Sequence, residues 1–277
     1  MEELKTQNIS DVLKLLKQAD LTDTFEVYVP SQQANIKFKQ LNAEQLKRLL
    51  KTVIDSPIYN TEFITTFNTI IKENCIDETV NIKQLTVFDK LLILVKTRIE
   101  SVSPEYKFLF SKEEIDENKI TNSEYTVNIK NVYDNFVQNQ PNYQARVFTH
   151  NSYTLTCSLP TIDTENKLES ELHKNIKLEI STPEELRTTL GDTFINELTK
   201  YIYKLKIEDT EIDFETLNFK SRIKIVEQLP TIAINNVLKY IEGYKKLINP
   251  LTSYNIPTET DITFNKEIPQ DATFFNM

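Results

Sequence analysis

Phe25-Glu26-Val27-Tyr28-Val29-Pro30 and, a polar loop later, Ile36-Lys37-Phe38 place apolar side chains at every second position. That alternation reads as two half-buried strands joined as a hairpin. Helical patterns follow directly. Asn42 is placed to cap Ala43-Glu44-Gln45, with Gln45 reaching back as in a capping box, and Leu46, Leu49, Leu50, Val53 and Ile54 line one face. Pro57 ends that run, and Asn60 is placed to cap the next, whose apolar side is Phe63, Ile64, Phe67, Ile70 and Ile71 and whose exit is marked by Asn74 and Asp77. Thr86 with Asp89 opens a third helix, buried through Phe88, Leu91, Leu92, Val95 and Ile99.

The composition removes whole classes of function. With Gly191 and Gly243 as the only glycines in 277 residues, there is no phosphate-binding loop, dinucleotide fingerprint, nucleophile elbow or kinase glycine loop, since each needs several glycines at fixed offsets. A net charge of −9 argues against a binder of nucleic-acid backbone, and no nucleic-acid partner is expected. Cys75 and Cys157 lie far apart with no metal-ligand spacing, so they read as buried thiols; no metal and no cofactor is expected. The longest apolar run, Leu91 to Val95, is too short for a membrane span. Met1-Glu2-Glu3-Leu4-Lys5 has neither the positive nor the apolar region of a signal peptide, which places the expected site of synthesis and use in the cytoplasm.

The expected fold class is α+β, in one large domain or two closely packed lobes: an N-terminal β-hairpin plus helices, a small antiparallel β lobe in the middle, and a C-terminal helical part. Residues 1–24 form an amphipathic helix through Ile9, Val12, Leu13, Leu15 and Leu16, which docks on a neighbouring subunit or on the chain's own core. Residues 25–105 are the hairpin-helix module. Residues 106–180 are the antiparallel β lobe, with strands at Tyr106 to Phe110, Tyr125 to Ile129, Tyr143 to Phe148 and Tyr153 to Leu159, and a loop over the acidic run from Ser111 to Glu124. The helical region, 181–249, begins at Thr182-Pro183-Glu184-Glu185 and breaks at Gly191. Asp192 caps a second segment with Phe194, Ile195, Leu198, Tyr201, Ile202 and Leu205 on one side. Helices Phe219 to Leu229 and Ile232 to Ile248 follow, divided by Pro230 and stopped by Pro250. Residues 250–277 read as an extended tail without a core of its own, ending in Phe274-Phe275, which dock onto the helical lobe or into another chain.

Few constellations bear on chemistry. His150 and His173 are the only histidines; a Ser-His-Asp reading can be drawn from Ser152, His150 and Asp163, but His150 reads better as a turn residue. Asp209, Glu211, Asp213 and Glu215 alternate like a calcium loop, but Phe214 stands where the required glycine belongs, so an extended segment with Ile212 and Phe214 inward is the better reading. No carboxylate pair is singled out for glycoside hydrolysis, and Trp is absent. The candidate partner contacts are Leu13 and Leu16 on the first helix together with Tyr28, Tyr59, Tyr106, Phe274 and Phe275; core packing is their competing fate.

One resemblance organises these readings. Phe-x-Val-x-Val-Pro-Ser from Phe25 to Ser31, Ile36-Lys37-Phe38, the helix from Leu46 to Val53, and Leu85-Thr86-x-Phe88-Asp89 running into a helix that ends in Arg98 resemble the N-terminal half of T4-like bacteriophage baseplate hub proteins. The likeness is close from Phe25 to Tyr106 and looser after it. It implies a non-enzymatic tail protein, acting in the structure or assembly of the baseplate hub through contacts with other hub or tape-measure proteins or with further copies of itself. The protein would be found in the host cytoplasm during assembly and in the virion. In that family the middle β region sometimes carries metal-binding cysteines, whereas Cys157 here is alone in it. The alternatives from other classes are a tail-associated cell-wall hydrolase, with a cleft of converging carboxylates, and an adaptor protein unrelated to phage.

Overall fold

In a computed structural model, residues 23–55, 61–150, 152–175, 183–259 and 263–275 are described. The fold class is α+β, as the sequence implies. Strands β1 (Thr24–Val29) and β2 (Ala34–Lys39) pair antiparallel with Phe25 opposite Phe38 and Val27 opposite Ile36. All four side chains are buried, the outcome of the two-residue alternation. Helices α1 (Ala43–Asp55) and α2 (Thr61–Asn74) follow. The amide of Gln45 donates to Asn42 Oδ1 at 2.8 Å and the amide of Asn42 to Gln45 Oε1 at 3.2 Å, so the expected capping box is present. The expected first helix, with Leu13 and Leu16, and Asn60 with Tyr59 lie outside the described residues.

Helix α3 (Val87–Ser101) is buried on nearly every side, including Phe88, Asp89, all of Leu91 to Val95, Thr97, Arg98 and Ile99. A helix apolar all round belongs at the centre of a fold. Its capping box joins Thr86 and Asp89. The Asp89 carboxylate also accepts from the amide of Ser31, in the turn of the hairpin, at 3.0 Å. One side chain therefore starts the helix and clamps the hairpin to it.

The middle of the chain departs from the expected single β lobe. Strands β3 (Glu105–Leu109) and β4 (Glu124–Asn128) form their own two-stranded sheet, while β5 (Arg146–His150) and β6 (Tyr153–Cys157) join β7 (Ile202–Ile207) and β8 (Thr210–Asp213) in an antiparallel sheet of order β5-β6-β7-β8. Helices interrupt the lobe. The acidic run expected as a loop is helix α4 (Lys112–Asn118), held by a capping box between Ser111 and Glu114 and closed by Lys119 in the left-handed region at φ 50°. Helices α5 (Ile129–Gln138), capped by Asn128, and α6 (Ile162–Asn175) fall within residues 106–180, where the sequence pattern implies strands.

The C-terminal part differs from the expectation at four points. Helix α7 (Pro183–Lys200) starts at the expected proline but runs on through Gly191, which is exposed and costs about 1 kcal/mol relative to alanine. Tyr201, Ile202 and Leu205 then leave the helix: Ile202 and Leu205 enter β7, because pairing with β6 outweighs their helical spacing. Helices α8 (Phe219–Glu227) and α9 (Thr231–Thr252) stand on either side of Pro230. Pro250 does not stop α9 but lies in its last turn, at the cost of one i→i−4 hydrogen bond, and Leu251 is buried beyond it. The presumed tail forms a hairpin, β9 (Ser253–Ile256) with β10 (Phe264–Glu267), and a 3-10 turn (Ala272–Phe275). It contributes Ile256, Ile268, Ala272, Phe274 and Phe275 to the core.

Replacing Asp89 by Ala leaves the amides of Ser31 and Thr86 without their acceptor, and we expect a loss of about 2–3 kcal/mol in urea-monitored stability. Burial raises the Cys157 thiol from 9.0 to about 12 and the Tyr254 phenol from 10.0 to about 12, and pushes up Tyr133 and Tyr244 as well. The unfolded chain releases these protons first, so stability is full below about pH 9 and falls as pH rises toward 12. Denaturation midpoints measured across that range check the sign.

Candidate partner-binding groove

Arg98, in the last turn of α3, is 3% exposed. Its Nε donates to the carbonyl of Phe274 at 2.8 Å and its Nη1 to the carbonyl of Ser103. The guanidinium lies 5.4 Å from the centre of the Tyr106 ring and 5.5 Å from that of Phe274. Among the described residues no carboxylate pairs with it, and burial draws its pKa below the ordinary arginine value. Tyr106 and Phe274 stand 5.6 Å apart, and Phe274 and Phe275 5.8 Å. Phe275 continues to Phe67 on α2 at 6.2 Å. The C-terminal turn is thus bolted to the hairpin-helix module through one arginine and a chain of rings.

A groove of about 770 Å³ opens beside this cluster, between β3 on one wall and Lys266, Glu267, Pro269 and Thr273 on the other. Register fixes which backbone groups face it. The amide of Phe110 donates to Ser123 O, continuing the ladder in which Phe108 lies opposite Tyr125 and Tyr106 opposite Val127. Antiparallel ladders alternate, so Glu105, Lys107 and Leu109 aim their amides and carbonyls away from β4. Lys266 Nζ lies 3.5 Å from the Leu109 carbonyl, on that outer side, and is paired with Glu114 at 2.6 Å. Leu109 itself is 70% exposed.

The candidate contacts from the sequence separate as follows. Tyr106 lines the groove. Phe274 and Phe275 are 0% and 1% exposed, so this chain's own core takes up both rings, because Arg98, Tyr106 and Phe67 wait for them. Tyr28 is half-buried against the hairpin core. Leu13, Leu16 and Tyr59 lie outside the described residues. Arg98 was legible only as the end of a helix; a charged residue in an otherwise apolar stripe was the available signal.

Elsewhere, a cavity of about 230 Å³ is bounded by Phe63, Phe67, Leu91 and Tyr244 and carries Glu165 and Glu197. Both carboxylates are ion-paired, Glu165 with Lys90 and Glu197 with Lys200, which also pairs with Glu169. Burial opposes the charge on Lys200, but Glu197 and Glu169 outweigh it and hold its pKa above the usual lysine value. His150 is exposed at the end of β5, its ring stacked on Tyr153 at 5.2 Å. Among the described residues there is no group of three or more potential metal ligands, and no helix is long and apolar enough to cross a membrane.

Compared with known proteins, residues 22–267 match the family described as T4 bacteriophage base plate protein. No curated protein and no solved structure matches the chain. For the cluster at the groove, truncation of Phe274 to Ala should lower stability by about 3 kcal/mol or more, while Leu109→Ala should change it by less than about 0.5 kcal/mol. Equilibrium urea denaturation of the two variants makes the comparison.

Proposed function

The chain belongs to the T4 bacteriophage base plate protein family, and on that premise we propose that it acts in the baseplate hub, as a subunit or in its assembly, by binding other hub or tape-measure proteins. The match over residues 22–267 carries this reading. It agrees with the resemblance of the hairpin-helix module to hub proteins, and the two motifs behind that resemblance touch: the Ser31 amide, beside Pro30, donates to Asp89 of the Leu85-Thr86-x-Phe88-Asp89 segment. Its work is mechanical rather than catalytic. The carboxylates at the central cavity serve as ion-pair partners of Lys90 and Lys200, which supports a structural part for them. The protein acts in the host cytoplasm while baseplates form and stays in the finished tail as a subunit, in contact with other chains or with copies of itself.

Quantitative mass spectrometry of purified particles tests the reading. We expect the chain in fixed proportion to known baseplate proteins, and particles lacking baseplates when its gene is deleted. Absence from particles together with loss of baseplates assigns it to assembly alone. Normal baseplates after deletion, or release of peptidoglycan fragments by the pure protein, refute it.

A further inference from the structure

We infer that the central cavity binds a free α-amino acid with an apolar side chain, its zwitterionic head held by Lys90, Glu165 and Tyr244. The inference rests on no part of the baseplate reading.

The polar end of the cavity has hydrogen-bonding capacity that the fold leaves unused. Lys90 on α3 spends one N–H on Glu165 Oε2, and two remain. Glu165 on α6 is 8% exposed, and among the described residues its Oε1 accepts no hydrogen bond. Tyr244 on α9 is 6% exposed, and its hydroxyl makes no hydrogen bond among the described residues. Burial and then the Glu165 carboxylate raise the pKa of that phenol, which sets its hydroxyl near the same acid. Tyr201, by contrast, already has Glu197 as its partner. Polar atoms buried to this degree nearly always find partners. Lys90, Glu165 and Tyr244 line one space of about 230 Å³, so whatever fills that space completes them.

The opposite end of the cavity makes water alone a poor occupant. It is formed by Phe63, Phe67, Leu91, Leu94 and Ile248, and water finds no hydrogen bonds at such a wall. An apolar cavity of about 150 Å³ takes benzene, so this one has room for a side chain of leucine or phenylalanine size together with a head group. Glu197 and Gln270 line the cavity and are exposed, which gives a solute its way in.

The signs of the lining charges select the head group. Lys90 and Lys200 line the cavity with Glu165 and Glu197, so neither sign is in excess on its wall, and Glu169 is turned to Lys200. A simple anion placed there meets Glu165, and a simple cation meets Lys90. An α-amino acid carries both signs on one carbon. Its carboxylate accepts from Lys90 and from the Tyr244 hydroxyl, while its ammonium donates to the open oxygen of Glu165. The ion pairs go on joining α3, α6 and α7, and the ligand uses only what they leave over.

The test is isothermal titration calorimetry on the purified full chain with L-leucine and L-phenylalanine. At least one should bind, with a dissociation constant of about 1 mM or tighter. The amide of the binder, which lacks the carboxylate, and its deaminated acid, which lacks the ammonium, should each bind about tenfold more weakly. Glycine, without an apolar side chain, should give no signal. Tyr244→Phe deletes a hydroxyl that holds nothing in the free chain; it should weaken binding about tenfold while the unfolding midpoint without ligand stays where it is. The inference is overturned if neither amino acid binds, if glycine, the amide or the deaminated acid binds as tightly, or if Tyr244→Phe binds like the parent. The analogue series on the unmutated chain decides the matter even if the variant misfolds.

Discussion

The Asp89 carboxylate accepts from the amide and hydroxyl of Thr86, at 2.6 and 2.8 Å, and from the amide of Ser31, at 3.0 Å. It is fully buried, so each of those bonds replaces water that cannot reach it. The geometry ties three things together: the start of α3, the turn of the β1–β2 hairpin, and the direction in which the hairpin lies on the helix. The rest of the molecule is packed around α3, with Phe88 at its base meeting Phe136 of α5 and Tyr244 of α9 edge-on. Misplace the carboxylate and every later contact is measured from a wrong origin.

At the other end of the same helix the charge has the opposite sign. Arg98 holds the C-terminal turn as Asp89 holds the hairpin, so α3 works as a rod with a polar clamp at each end and an apolar shaft between. Clamps of this kind specify arrangement more than they add stability, since a buried charge recovers its lost hydration only through the bonds it makes. The apolar shaft supplies the driving force. The clamps decide which strand and which turn lie against it, and in doing so they set the two walls of the groove.

Local signals in the sequence were read well where a residue's partner is near in the chain. The capping pairs Asn42 with Gln45 and Thr86 with Asp89 act over three residues, and the alternation of Phe25, Val27 and Val29 reports burial directly. Reading failed where a distant partner chose between two locally acceptable states. Ile202 and Leu205 fit a helix face as well as a strand, and only β6, some fifty residues earlier, selects the strand. The acidic run at Glu113 to Glu117 has the composition of a solvated loop, and only the Ser111-Glu114 cap marks it as a helix. Phe274 and Phe275 announced that they would be buried but not by what, since Arg98 and Tyr106 lie well over a hundred residues upstream. The groove was not legible at all: it exists only where β3 and the C-terminal segment meet.

That meeting has a bearing on order in time. The bond from Arg98 to Phe274 joins residues 176 positions apart, so the module that begins at the first hairpin is completed only after all the intervening chain has been made. A chain still emerging from the ribosome has β3 but not its opposite wall. The groove therefore exists only in molecules whose turn at Ala272–Phe275 has been made and seated.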